Sequence, residues 1–310
     1  MTGSRDTFSS YDPVINFIFF AGAVVFSMFF IHPLFLICTF FLSSVYYLTV
    51  KGRSGIRLII GMIPLFIFMS AVNPLLNSAG DTVMFTYFGG RPYTFEALCY
   101  GMALSCMFIS VIIWFASYSI VMTSDKFMYI FGRTAPSLSL VFTMILRFLP
   151  LYRKKAAQIS SARSCIGRSG SQGTRGEKIR SGMTILSALT SWALEGGIVT
   201  ADSMRSRGYG SGSRTAFSIY RFGLRDMLLM AVMVALAIIV ILCGATGSAG
   251  ASYTPEMNIS PASDIHTAAG AAAYFVFLSL PSVINITEEI KWNILRSDLC
   301  ISGSRGQTSS

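Results

Sequence analysis

Six stretches of this chain are apolar for long enough to cross a bilayer, and no other feature restricts its folding as strongly. Crossing ~30 Å of hydrocarbon takes roughly 20 mostly apolar residues, wound as a helix so that every backbone hydrogen bond closes internally. Runs near that length fall at 14–31, 33–50, 56–72, 95–122, 224–243 and 268–286, the last being rich in alanine. Composition agrees: 53% of the 310 residues are hydrophobic and only 12% are charged, against ~25% charged in an ordinary soluble domain. A water-facing core cannot hold that much apolar surface, which argues against a soluble globular enzyme. The first run stands far from a basic start and has no small-residue cleavage site, so a retained anchor is expected rather than a signal peptide.

Where the charge sits sets the expected topology. The chain carries 24 Lys and Arg against 14 Asp and Glu, a net charge of +10. Fourteen of those basic residues lie between Arg147 and Arg225, opposed only by Glu177, Glu195 and Asp202. Lys and Arg gather in loops on the cytoplasmic side. With the N-terminus inside and six crossings, every Lys and Arg except Arg91 falls inside. Both termini are then cytoplasmic. Outside lie the turn at His32-Pro33, a loop over 73–94 and a polar loop over 244–267, in which Asn258-Ile259-Ser260 matches a glycosylation acceptor by a pattern common by chance.

Residues 134–149 are apolar but too short for a hairpin between two cytoplasmic segments. A re-entrant or interface-lying helix punctuated by Pro136 and Pro150 is expected there. The basic segment then reads as helix, flexible Gly/Ser/Arg-rich link, helix, over 151–166, 167–176 and 179–204. Ala156, Ser160 and Ser164 share one face of the first helix, and Ala193, Gly197 and Ala201 share one face of the second. Small residues at that spacing let helices approach closely, so the two are expected to cross there, with chance spacing as the competing reading. Each helix ends with an arginine among small residues, in Ala162-Arg163-Ser164 and Ser206-Arg207-Gly208. A planar guanidinium at such an end can enter a partner's groove and grip a carboxylate with two hydrogen bonds. The plainer reading, contact with anionic lipid, covers most of the other basic residues.

No catalytic or metal-binding constellation is legible. His32 and His266 lie far apart without carboxylate or Cys company, six cysteines show no CxxC spacing, and no phosphate-binding loop occurs. Sparse aromatic interleaving argues against nucleic acid as a partner of the basic segment.

Several motifs together resemble the transmembrane T component of energy-coupling factor transporters. They are Asn73-Pro74-Leu75-Leu76-Asn77, Arg91-Pro92-Tyr93-Thr94-Phe95-Glu96-Ala97 with Tyr100-Gly101, Thr123-Ser124-Asp125-Lys126-Phe127, Leu146-Arg147-Phe148-Leu149-Pro150 and the two arginine triplets. The resemblance implies a non-catalytic scaffold in a prokaryotic cell membrane. Such a scaffold joins two cytoplasmic ABC-type ATPase subunits, which carry ATP and magnesium, to a small substrate-binding membrane subunit. In that family the arginine of each Ala-Arg-Gly-like triplet docks on an ATPase, and Arg163 and Arg207 match it here. Ser164 departs from the usual glycine and Ser206 from the usual alanine.

The expected whole is an all-α integral membrane protein of about six transmembrane helices with a pair of long crossing coupling helices. Membrane helices occupy 1–122, an interfacial helix and the coupling region 123–222, and further membrane helices with a tail 223–310. A self-sufficient carrier or channel is the rival reading, and a membrane assembly protein without transport the third. A carrier would need ionisable groups near mid-membrane, and the six runs hold almost none away from their ends.

Overall fold

A computed structural model describes residues 6–77, 80, 82–87, 91–167, 174–209, 223–245, 250–253, 258–259 and 264–306. Helices dominate: α1 (Pro13–Phe29), α2 (Pro33–Lys51), α3 (Ile56–Leu76), α4 (Phe95–Val121), α5 (Ser124–Thr134), α6 (Pro136–Cys165), α7 (Arg175–Ser206), α8 (Leu224–Ala245) and α9 (Ile265–Gly306). Two short antiparallel pairs accompany them, β1 (Val83–Tyr87) with β2 (Arg91–Thr94) and β3 (Ala251–Ser252) with β4 (Asn258–Ile259). The expected loop over 73–94 is thus the last turn of α3 and then a hairpin in which Tyr87 pairs with Arg91. The chain forms two compact units, Met1–Ser124 with Tyr220–Ser310, and Asp125–Ile219.

In the first unit, local chemistry starts and stops the helices. Asp12 accepts a hydrogen bond from the Val14 N–H at 2.9 Å with Pro13 in the first helical position, and His32 does the same for Leu34 at 3.3 Å ahead of Pro33. Both follow the rule that a side-chain acceptor followed by proline opens a helix. His32 is therefore a cap. α2 stops at Gly52, whose φ of +63° is a conformation glycine adopts without strain, and a short 3₁₀ turn leads into α3.

α4 is the centre of this unit, packed on α1, α2 and α3, while α9 packs on α2 and α8. Trp114 of α4 is fully buried, stacked on Tyr46 at 5.9 Å and met edge-on by Phe19 at 5.6 Å. Tyr274 of α9 brings a hydroxyl into this core. Thr39 donates to the Phe35 carbonyl, so the Tyr274 hydroxyl donates to Thr39 Oγ1 at 2.8 Å and is not left unpaired. Near the N-terminus, Asn285 of α9 accepts from the Phe8 N–H at 3.0 Å and donates to Asp6 at 2.7 Å.

The motif residues of α3 and α4 meet at one end of that helix pair. A Cβ on Gly101 would stand 2.8 Å from both the Ser70 carbonyl oxygen and Asn73 Cβ, so only glycine allows this approach. Pro74 is buried beside it, and Glu96 accepts from the Thr82 N–H at 3.3 Å and its hydroxyl at 2.6 Å.

Among the described residues, four helical stretches are long and apolar enough to cross a membrane: Pro33–Leu76, Phe95–Val121, Leu224–Ala245 and Ile265–Trp292. The first contains both α2 and α3, and α1 is apolar but shorter, at 17 residues. α3 buries only Ser70 and Pro74 and exposes Ile60, Ile63, Ile67 and Phe68. Apolar surface facing outward on this scale suits lipid rather than water, and the chain is a membrane-embedded helical protein.

Candidate functional site

The second unit is built on α5, α6 and α7. α5 is strongly amphipathic, and its Phe127 packs on Phe131 at 4.4 Å and on Phe142 of α6 at 6.3 Å. The expected division at Pro150 is absent. Pro136 opens α6 and Pro150 lies inside it, so 134–149 and 151–166 are not two helices but parts of one 30-residue helix. A proline removes only the hydrogen bond to the carbonyl four residues back, here that of Leu146, and intact turns on both sides carry the helix through. α7 starts earlier than expected, at Arg175, because Thr174 and Glu177 form a reciprocal capping box in which the Thr174 N–H donates to Glu177 at 2.8 Å. The Thr-x-x-Glu spacing was the sequence signal for that start.

α6 and α7 lie antiparallel in this unit. Arg163 Nη2 donates to Ser181 Oγ at 3.3 Å, and Tyr152 meets Trp192 edge-on at 5.8 Å with Lys155 Nζ 5.3 Å from the same indole. Eleven residues separate the two contacts along each helix, about 16 Å of helix, so one register holds between them.

Both helices end through glycine. Gly167, at φ +73°, follows α6 and donates to the Ser164 carbonyl at 3.1 Å. At the end of α7, Gly208 (φ +74°) donates to the Arg205 carbonyl and Tyr209 to the Met204 carbonyl, both at 3.1 Å. That pair of bonds is the Schellman closure, and only a residue tolerant of positive φ permits it.

The two arginines differ in their surroundings. Arg207 is itself the cap residue of α7 and is exposed, with Ser206 and Gly208 exposed beside it. Arg163 lies in the last turn of α6 between exposed Ala162 and Ser164, but is half-buried. Its Nη2 rests on Ser181, and its Nε is buried without a hydrogen-bond partner. Each cation complements the free carbonyls at its helix C-terminus.

The small-residue faces are not brought together. Ala156, Ser160 and Ala193 are half-buried, whereas Gly197 and Ala201 are exposed, and nothing lies within 4 Å of where a Gly197 Cβ would be. Gly197 and Ala201 lie beyond Trp192, and Ala156, Ser160 and Ser164 lie on the opposite side of Tyr152. From α6, Tyr152 and Lys155 meet Trp192 and Arg163 meets Ser181.

Elsewhere, a cavity of about 670 Å³ lies between α2, α3 and α4, lined by residues such as Phe40, Met62, Phe66, Met102 and Cys106. Among the described residues, no carboxylate, ammonium, guanidinium or imidazole lines it. At its rim Tyr253 donates to the Ile31 carbonyl at 3.0 Å, and burial pushes its phenol above the ordinary tyrosine range. Among the described residues, no group of three or more His, Cys, Asp or Glu gathers as a metal ion would require.

No protein-family model matches the chain, and no curated protein matches it. What the fold defines is a class, helical and membrane-embedded. Its second unit carries a basic helical hairpin with an arginine at the end of each helix.

Proposed function

We propose that this chain is the membrane coupling subunit of an importer of the energy-coupling factor type. It would transmit ATP-driven motion of two cytoplasmic ATPase subunits to a separate substrate-binding membrane subunit. The observation that carries the reading is Arg207, exposed on a closed helix end at the tip of a 32-residue helix. An acidic groove could take that guanidinium as a bidentate pair. Arg163, in the last turn of the antiparallel partner helix, is the second docking residue.

In this reading α1, α2, α3, α4, α8 and α9 are six crossings. At ~1.5 Å per residue, 17 residues of α1 reach about 26 Å, just short of the ~30 Å hydrocarbon, and α2 and α3 count separately because Gly52 ends α2. Both termini are cytoplasmic, the basic hairpin faces the cytoplasm of a prokaryotic cell, and ATP and magnesium belong to the partners. Closure of the ATPases pulls on α6 and α7 through their arginine ends, and two alternative arrangements of these helices pass the motion to the membrane part. The cargo is a micronutrient, a vitamin or a transition-metal ion, selected by the other membrane subunit. A self-sufficient carrier of a polar solute is disfavoured by the apolar lining of the cavity between α2, α3 and α4.

The test is co-purification with the ATPases and transport after Arg163→Ala, Arg207→Ala and both together. Losing a desolvated charged contact should cost about 2–5 kcal/mol at each end, so the double variant is expected to lose the ATPases. Normal assembly and transport by the double variant would refute docking.

A further inference from the structure

We propose that Ser181 holds the Arg163 guanidinium within the α6–α7 hairpin, so that the two arginine ends are unequal: Arg207 is presented, and Arg163 must be released before it docks. This rests on the docking reading above and adds an order to it. Arg207 is exposed at the end of α7, whereas Arg163 reaches across to α7 and donates from Nη2 to Ser181 Oγ at 3.3 Å. Ser181 is itself only 9% exposed, in a helix pair whose other faces are largely open.

The arrangement is a holding contact rather than a final one. Buried donors in folded proteins are nearly always paired, yet Arg163 Nε is buried with no partner while Nη2 has only a long bond to a neutral hydroxyl. A carboxylate can accept from Nε and Nη2 together in the fork geometry of guanidinium. An acidic groove therefore offers Arg163 what Ser181 cannot, and the exchange is favourable once the hairpin contact opens. The first ATPase docks on Arg207, and the second engages only as Arg163 leaves Ser181.

Per-residue arginine reactivity in the purified full chain, in detergent and without partners, tests this. Phenylglyoxal modifies accessible guanidinium groups, and peptide mass mapping gives a rate for each arginine. Arg207 should react about tenfold faster than Arg163, the scale of one hydrogen bond from a charged group. Ser181→Ala should bring Arg163 to within about twofold of Arg207 by removing that bond, while Ser181→Thr, which keeps the hydroxyl, should leave Arg163 slow. Equal rates in the unaltered chain, or a slow Arg163 in Ser181→Ala, overturn the proposal. So does a rise at Arg207 in Ser181→Ala, because the whole hairpin would then have opened. Failure of docking itself looks different: ATPase assembly would survive the double arginine substitution while the reactivity pattern stayed as expected.

Discussion

The unit built on α1–α4, α8 and α9 holds a cluster of fully buried large side chains beside its exposed apolar faces, and among the described residues the hairpin unit holds none. Trp114, Tyr46, Phe19, Phe20 and Tyr274 are all at or near zero exposure, while Leu138, Ile145, Leu149, Ile179, Met183, Leu186 and Ile198 of α6 and α7 stand open. Packing explains the first unit from within. The second has long helices, closed ends and basic side chains, but among its described residues no large apolar side chain is buried. The described residues of the hairpin unit leave much apolar surface open, whereas the first unit has a core of its own.

Substitutions should separate the two units. The largest effect is expected at Trp114→Ala, where loss of a fully buried indole from an aromatic cluster costs about 3–5 kcal/mol. Trp192→Ala, which loses one edge-on ring contact and one cation contact in the hairpin, should cost about 1 kcal/mol. Thermal unfolding in detergent compares them, and equal losses would mean that the hairpin has a core of its own. Next comes Gly101→Val. Its new side chain must push apart α3 and α4 where even a Cβ stands 2.8 Å from the Ser70 carbonyl, at about 1–3 kcal/mol on the same assay.

Smaller still is Gly208→Ala, which forces a side chain into positive φ for about 1 kcal/mol. Faster amide exchange at Tyr209 and at position 208 would mark the opened end of α7. Gly197→Leu closes the series. Its site is open, so stability should shift by less than about 0.5 kcal/mol; a larger loss would place a close helix contact at that face after all. If stability holds and transport fails, the face serves a partner or a second arrangement of the helices.

Much of the first unit was legible because its physics is local or one-dimensional. Apolar runs gave the bounds of α1, α2, α3, α4 and α8 within a few residues, whereas α9 runs to Gly306, well past the end of its run at 286; in the second unit Gly208 stops α7 where positive φ is needed. The capping box at Thr174 and Glu177 was equally local, and its spacing was there to be read. Pro150 does not end α6, because one missing hydrogen bond is outweighed by the fourteen residues of helix that precede it. Spacing of small residues along one helix does not say which stretch of another lies opposite, and Tyr152 with Trp192 marks the register of α6 against α7.

From the sequence alone came the membrane class, the gathering of basic charge in one segment, and the two arginines at helix ends. These follow from composition and near-neighbour chemistry, which need no knowledge of distant contacts. Only the tertiary structure could bring Asp6 and Phe8 to Asn285, Gly101 to Asn73, and Arg163 to Ser181. Such contacts join residues far apart in the chain and depend on how whole helices pack. The consequence falls on the feature that mattered most in the sequence: two arginine ends that read alike are one exposed and one held.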